Sequence, residues 1–246
     1  MSFSIALSER ARSMLEVANV RTGVKSGQDV PYRVREAAAA ALDRGETHYT
    51  DRPGIRALRE AVASLVERRF GVNTSPDNIV ITCGDTEARF VAVQQLVPRG
   101  GAVAALATDH GSIAGPTLLG DAQLVECDHQ VPDRDAADLL YIDASLDPAV
   151  VSAWVQAWRE SDRWVVYDVT HAPDQAFHPE QVGMAQRTVT VGGLGYEAGM
   201  EGWRVGYLAA PPTALKQLRA FKQALTICTT NVSQWAALAL FEEATP

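Results

Sequence analysis

The chain has 246 residues, 47% of them apolar, enough to bury a core as one large domain or as one domain with a short appendage. Its formal charge of −8 argues against nucleic acid as a partner, because neutralising phosphates takes clustered Lys and Arg. No signal-peptide pattern opens the chain, no run nears the roughly 18 apolar residues of a membrane span, and the three cysteines share no metal-ligand spacing, so the expectation is a reduced, cytoplasmic protein with no membrane and no metal site.

Residues 1–30 are weakly patterned, and GVKSGQD reads as a loop ending near Pro31. An alanine-rich, helix-favouring stretch runs from Tyr32 to Arg44. GETHYTDRPG is a turn-rich connector, with Pro53 suited to a first helical turn. The helix that follows, Gly54 to Arg69, places Ile55, Leu58, Val62, Leu65 and Val66 on one stripe, and Gly71 is its stop. Short apolar runs then alternate with helical segments. Strands are expected at 78–83, 102–107, 123–127, 139–143, 164–168, 188–193 and 203–210, and helices at 86–97, 147–159, 215–227 and 232–241. Strands of this length alternating with helices imply βαβ units and a mostly parallel sheet covered on both faces.

Ligands of open α/β sheets bind beyond the carboxyl ends of the strands, and three strand ends carry suggestive residues. Gly84, Asp85 and Thr86 lie between a strand and a helix N-terminus, where free N–H groups can hold a phosphate. Asp168 closes the strongest strand, with His171 three residues on, and GGLGYEAGMEGWR (192–204) brings Arg204 back to a strand. Each has an ordinary structural alternative. Strand–Gly–helix turns are common, Asp168 could cap a turn, and Arg204 could be a surface ion pair worth about 0–1 kcal/mol. Cys83 reads as a small apolar residue rather than a nucleophile.

Taken in order, HYTDRPGIRALREAVA, IVITCGDTEARFVA, WVVYDVTHAPDQAF and MEGWRVGYLAAP resemble the class I/II aminotransferases, of the fold-type-I pyridoxal-phosphate (PLP) superfamily. The resemblance covers the chain from about residue 30 onward. It implies a three-layer α/β/α fold with a mixed, mostly parallel sheet, residues 1–47 as an N-terminal arm or partial small domain, residues 48–246 as the large domain, and no C-terminal small domain, whose arginine would hold a substrate α-carboxylate. It further implies that Asp168 pairs with the pyridine nitrogen and that Arg204, with the 84–86 turn, holds the cofactor phosphate. Tyr49 would reach across a homodimer to the neighbouring phosphate, and His110 falls roughly where an aromatic ring stacks on the cofactor.

The departures from the pattern matter as much. The family's Ser-x-Ser-Lys reads Gly193-Leu194-Gly195-Tyr196, eight residues before Arg204, and no lysine occurs between Lys25 and Lys216. His171 stands in for the tyrosine that bonds the cofactor ring hydroxyl, and the family's glutamate has become Val169. Asp85 takes a place where the family prefers a small neutral residue. A carboxylate about 7 Å from a phosphate oxygen costs roughly 2 kcal/mol at an effective dielectric near 20. Either Arg204 compensates or Asp85 turns aside to cap its helix. Two functions follow as expectations. One is an aminotransferase-like pseudoenzyme or partner subunit that does not transaminate, with a remnant pocket holding PLP, pyridoxamine phosphate or nothing, as a homodimer or with a related subunit. The other is a lysine-independent enzyme holding PLP or pyridoxamine phosphate noncovalently against an amino or keto acid, with Tyr196, His171 or His110 as acid/base.

Overall fold

The computed structural model describes residues 30–106, 110–128 and 130–242, with the side chain of His110 outside that description. Most of the expected N-terminal arm, and any crossing it makes to a dimer mate, lies outside the described residues. In chain order the elements are α1 (Tyr32–Asp43), α2 (Arg56–Phe70), β1 (Ile79–Thr82), α3 (Gly84–Leu96), β2 (Ala102–Leu106), α4 (His110–Leu119) and β3 (Gln123–Cys127), then β4 (Leu139–Asp143), α5 (Pro148–Arg159), β5 (Trp164–Asp168), β6 (Thr188–Gly193), β7 (Gly206–Ala209), α6 (Pro212–Thr226) and α7 (Asn231–Leu238). They form one seven-stranded sheet in the order β1-β7-β6-β5-β4-β2-β3. The inner pairs from β6 to β3 are parallel, and β7 runs antiparallel to both β6 and β1.

Two apolar clusters sandwich this sheet, so the fold is the three-layer α/β/α arrangement with a mixed, mostly parallel sheet. On one face α2, α5 and α7 bury Leu58, Val62, Val66, Trp154, Trp158 and Ala236, with α1 packed against them. On the other, α3, α4 and α6 bury Val91, Ala92, Ile113, Ala214 and Leu218. Strands such as β1 and β4 are apolar almost throughout because neither face meets water. Of the expected α2 stripe, Leu58, Val62 and Val66 are buried, Leu65 and the N-cap Ile55 are half-buried, and Gly71 ends the helix at a left-handed φ of 66°.

Two elements differ from expectation. HGSIAGPTLL, punctuated by Gly and Pro, gave no helical signal, yet it forms α4 with Pro116 inside it. Burial of Ile113 against the sheet, and a bond from the Thr117 hydroxyl to the Ile113 carbonyl, outweigh the local preference. The last strand begins at Gly206 rather than at 203, because Glu201–Trp203 form a 3-10 turn and Arg204 takes a left-handed φ of 53°. Trp203 is therefore not a core-strand residue; Tyr207 is.

Candidate active site

Strand pairing gathers the site along one sheet edge. Thr82 and Gly193 both lie opposite Gly206, and Asp143 lies opposite Asp168. The chain leaves β1 and enters α3 directly at Gly84, whose φ of +79° suits glycine. A Cβ there would sit 2.5 Å from the Arg204 guanidinium, so Arg204 lies on the bare backbone of this turn. Its Nη2 donates to the Thr86 hydroxyl at 3.2 Å and the Cys83 carbonyl at 3.4 Å.

Asp168 is 1% exposed. Its Oδ2 accepts from Arg89 Nε at 2.5 Å and from the Tyr141 hydroxyl at 2.8 Å, and its Oδ1 accepts from the Thr170 N–H at 2.9 Å. The same guanidinium turns its Nη1 to Asp85 Oδ2 at 2.5 Å. Asp85, 4% exposed, accepts from the Tyr196 hydroxyl at 2.8 Å and lies 3.9 Å from Arg204 Nη1. A chain of alternating charge thus runs Asp168–Arg89–Asp85–Arg204. Burial pushes the Asp85 carboxyl up, but the Arg89 charge, the Tyr196 hydroxyl and the Arg204 charge together hold it below the usual carboxylate range. Burial works against the charge on Arg89, yet Asp168, Tyr141 and Asp85 raise its pKa further. Burial, then the neighbouring Asp85, pushes the Tyr196 hydroxyl up to about 12, so it is a donor at neutral pH.

The Tyr196 ring lies on Gly193, where a side chain would collide with it, and meets the exposed His171 ring edge-on at 5.0 Å. Gly193 donates its N–H to the Thr170 hydroxyl at 3.1 Å. The structure therefore brings together Asp168, Arg204, Gly84, Asp85, Thr86, Tyr196 and His171. Asp85 does not cap α3; Glu87 Oε2 accepts from the Cys83 N–H at 2.5 Å, and the Asp85 carboxylate goes sideways to Arg89. Cys83 is half-buried, and burial pushes its thiol up, against a nucleophilic role. Tyr49 stands apart at 77% exposure, beside an open cavity of about 650 Å³ lined by residues 46–49 and 228–232. His110 opens α4, but its side chain lies outside the described residues.

Sequence reasoning missed Arg89 and Tyr141. Arg89 did carry a signal, since it stands one helical turn after Asp85 in a segment otherwise rich in apolar residues. Tyr141 carried none, because a tyrosine in a buried strand reads as core. No described helix is long and apolar enough to cross a membrane.

Residues 22–154 and 144–245 match the family model for aminotransferase class I and II. Among similar proteins, an aspartate aminotransferase of Pyrococcus horikoshii is 26% identical over 242 residues, covering 86% of this chain and 60% of its own. An aspartate/prephenate aminotransferase of Thermus thermophilus is 27% identical over 234 residues, covering 85% and 60%. The chain thus spans about 60% of the length of these two relatives. The crystal structure of an aromatic aminotransferase from Pyrococcus horikoshii superimposes with a TM-score of 0.78 at 24% identity, covering 87% of this chain and 65% of that one, a likeness of fold. With the family model matched across most of its length, this chain belongs to the aminotransferase class I and II family.

Proposed function

We propose that this chain is a member of its family that does not transaminate, serving as a pseudoenzyme or partner subunit that associates with a second copy or with a related subunit. The observation that carries the reading is Tyr196. It stands eight residues before Arg204, where the family resemblance implies a lysine, and its hydroxyl is committed to Asp85 at 2.8 Å. A lysine supplies a primary amine that forms an imine with an aldehyde and then carries a proton to and from substrate carbon. A phenol forms no imine, and this one holds its proton at neutral pH.

When bound, PLP would supply an electron sink. The residues here do not fit a lysine-anchored form of it. Asp168 already pairs with Arg89 and Tyr141, Asp85 sets a buried carboxylate in the first turn of α3, and no amine lies among the described contacts of the cluster. Lys222, fully buried, donates instead to Thr229 at 3.3 Å. Association is supported by the exposed Tyr49, Leu225 and Ile227, apolar groups open to a partner. The lysine-independent alternative is favoured by one feature, the exposed His171 ring against Tyr196.

The test is to incubate the purified chain with PLP and a panel of amino acids and keto acids, then treat it with borohydride and analyse it by mass spectrometry. The expected result is no keto acid formed and no pyridoxyl group on any lysine. Turnover of any amino donor, or label on Lys216 or Lys222, overturns the proposal.

A further inference from the structure

Resting on the reading above, we propose that Asp85 and Arg89 are the chain's own replacement for the two charged ends of the cofactor, and that they close the site to phosphorylated pyridine ligands. The N-terminus of α3 offers unpaired N–H groups, and Arg204 lies across its first turn, so the place calls for one anion. Two buried carboxylates stand in that turn: Glu87 accepts from the Cys83 N–H and the Thr226 hydroxyl, and the one beside Arg204 is Asp85, buried between Arg89 Nη1 at 2.5 Å and Arg204 Nη1 at 3.9 Å and bonded by the Tyr196 hydroxyl. At the other end, the buried Asp168 calls for one cation, and the cation present is the Arg89 guanidinium.

A bound phosphate would meet a like charge at Asp85, and a protonated ring nitrogen would meet a like charge at Arg89. Both ends carry the wrong sign at once. The two residues also form a neutral pair, so removing them together changes no net charge. Asp168 keeps Tyr141 and the Thr170 N–H, and Arg204 keeps Thr86. With both removed, Asp168 keeps those two neutral donors but loses its cation, whereas Asp85→Asn leaves Asp168 paired with Arg89, so that variant tests the idea without stranding that charge.

The experiment is equilibrium dialysis of the full chain against pyridoxamine 5′-phosphate, unphosphorylated pyridoxamine and inorganic phosphate. It compares wild type, the double variant Asp85→Ser/Arg89→Leu, and Asp85→Asn, which keeps the shape and removes only one charge. Wild type is expected to retain none of the three. The double variant is expected to bind pyridoxamine 5′-phosphate at least about tenfold more tightly, in competition with inorganic phosphate, and to gain less for pyridoxamine; Asp85→Asn gains phosphate affinity alone. The inference is overturned if wild type holds pyridoxamine 5′-phosphate as tightly as the double variant, or if Asp85→Asn, folded by circular dichroism, gains no affinity for phosphate. Cofactor retention by wild type without turnover refutes this inference only, whereas keto-acid production refutes the proposed function.

Discussion

Replacing Arg89 with methionine deletes the cation between two buried carboxylates while keeping most of the aliphatic bulk. Removing one partner of a buried ion pair costs about 3–5 kcal/mol, because the charge left behind is uncompensated. Here both carboxylates keep other donors: Tyr141 and the Thr170 N–H on Asp168, and Tyr196 with the more distant Arg204 on Asp85. The expected loss therefore falls at the low end, about 3 kcal/mol, or roughly 6–12 °C in Tm for a chain of this size. Its pH dependence has a definite sign. In wild type the folded Asp85 pKa is depressed, so its contribution is complete above the unfolded value of about 3.9 and is lost only as pH falls through the lower folded value. In the variant Arg89 no longer opposes the effect of burial on Asp85, so its folded pKa rises relative to wild type and the variant's folded state takes up a proton at higher pH than the wild type's does. The deficit should then shrink between pH 7.5 and pH 5. Urea unfolding of both proteins at the two pH values measures it. A deficit below about 1 kcal/mol at pH 7.5, or one that grows toward pH 5, would show that Arg89 is not what balances these carboxylates.

His178 is fully buried, its Nε2 within 2.9 Å of the Thr190 hydroxyl, and burial pushes its pKa down to about 3. The unfolded state gains a proton below about pH 6.5 while the folded state refuses it, so stability is lost as pH falls from there toward 3, by about 1.4 kcal/mol per unit at most. His178→Gln should flatten urea-derived stability between pH 6.5 and 4.5, and curves that stay parallel would contradict this. A Cβ on Gly206 would come 2.5 Å from the Gly84 carbonyl carbon and 2.7 Å from the Asp85 nitrogen, both backbone atoms at the start of α3. Gly206→Ala should accordingly cost about 1–3 kcal/mol by thermal melting, and a loss under about 0.5 kcal/mol would mean that β7 and α3 separate easily.

The sheet was readable because its strands, the edge strand β3 excepted, are buried on both faces and so appear as apolar runs, and six of the seven lie within a residue of the expected bounds. What escaped was set by tertiary contact. Helix α4 forms against Gly and Pro signals because Ile113 finds a buried place, and Arg204 leaves the strand because its turn folds it back over Gly84. At the site, strand-end logic reached Gly84, Asp168 and Arg204, and family resemblance reached Tyr196.

Arg89 was the hard one. An Asp and an Arg four residues apart on a helix ordinarily mean a solvated ion pair worth a few tenths of a kcal/mol. The same spacing means something else on a helix buried nearly all round, as α3 is, and that burial is not a local property of the sequence. A charge argument points to it nonetheless. A carboxylate at the end of a buried strand needs a counter-charge, and between Lys25 and Lys216 this chain has no lysine to supply one. An arginine has to do so. Arg89 is the one that α3 carries to the buried end of β5, and its second hand then requires Asp85. On this reasoning Arg89 and Asp85 are one unit: the cation that the buried Asp168 requires brings the second carboxylate with it, which places an acidic residue in the first turn of α3.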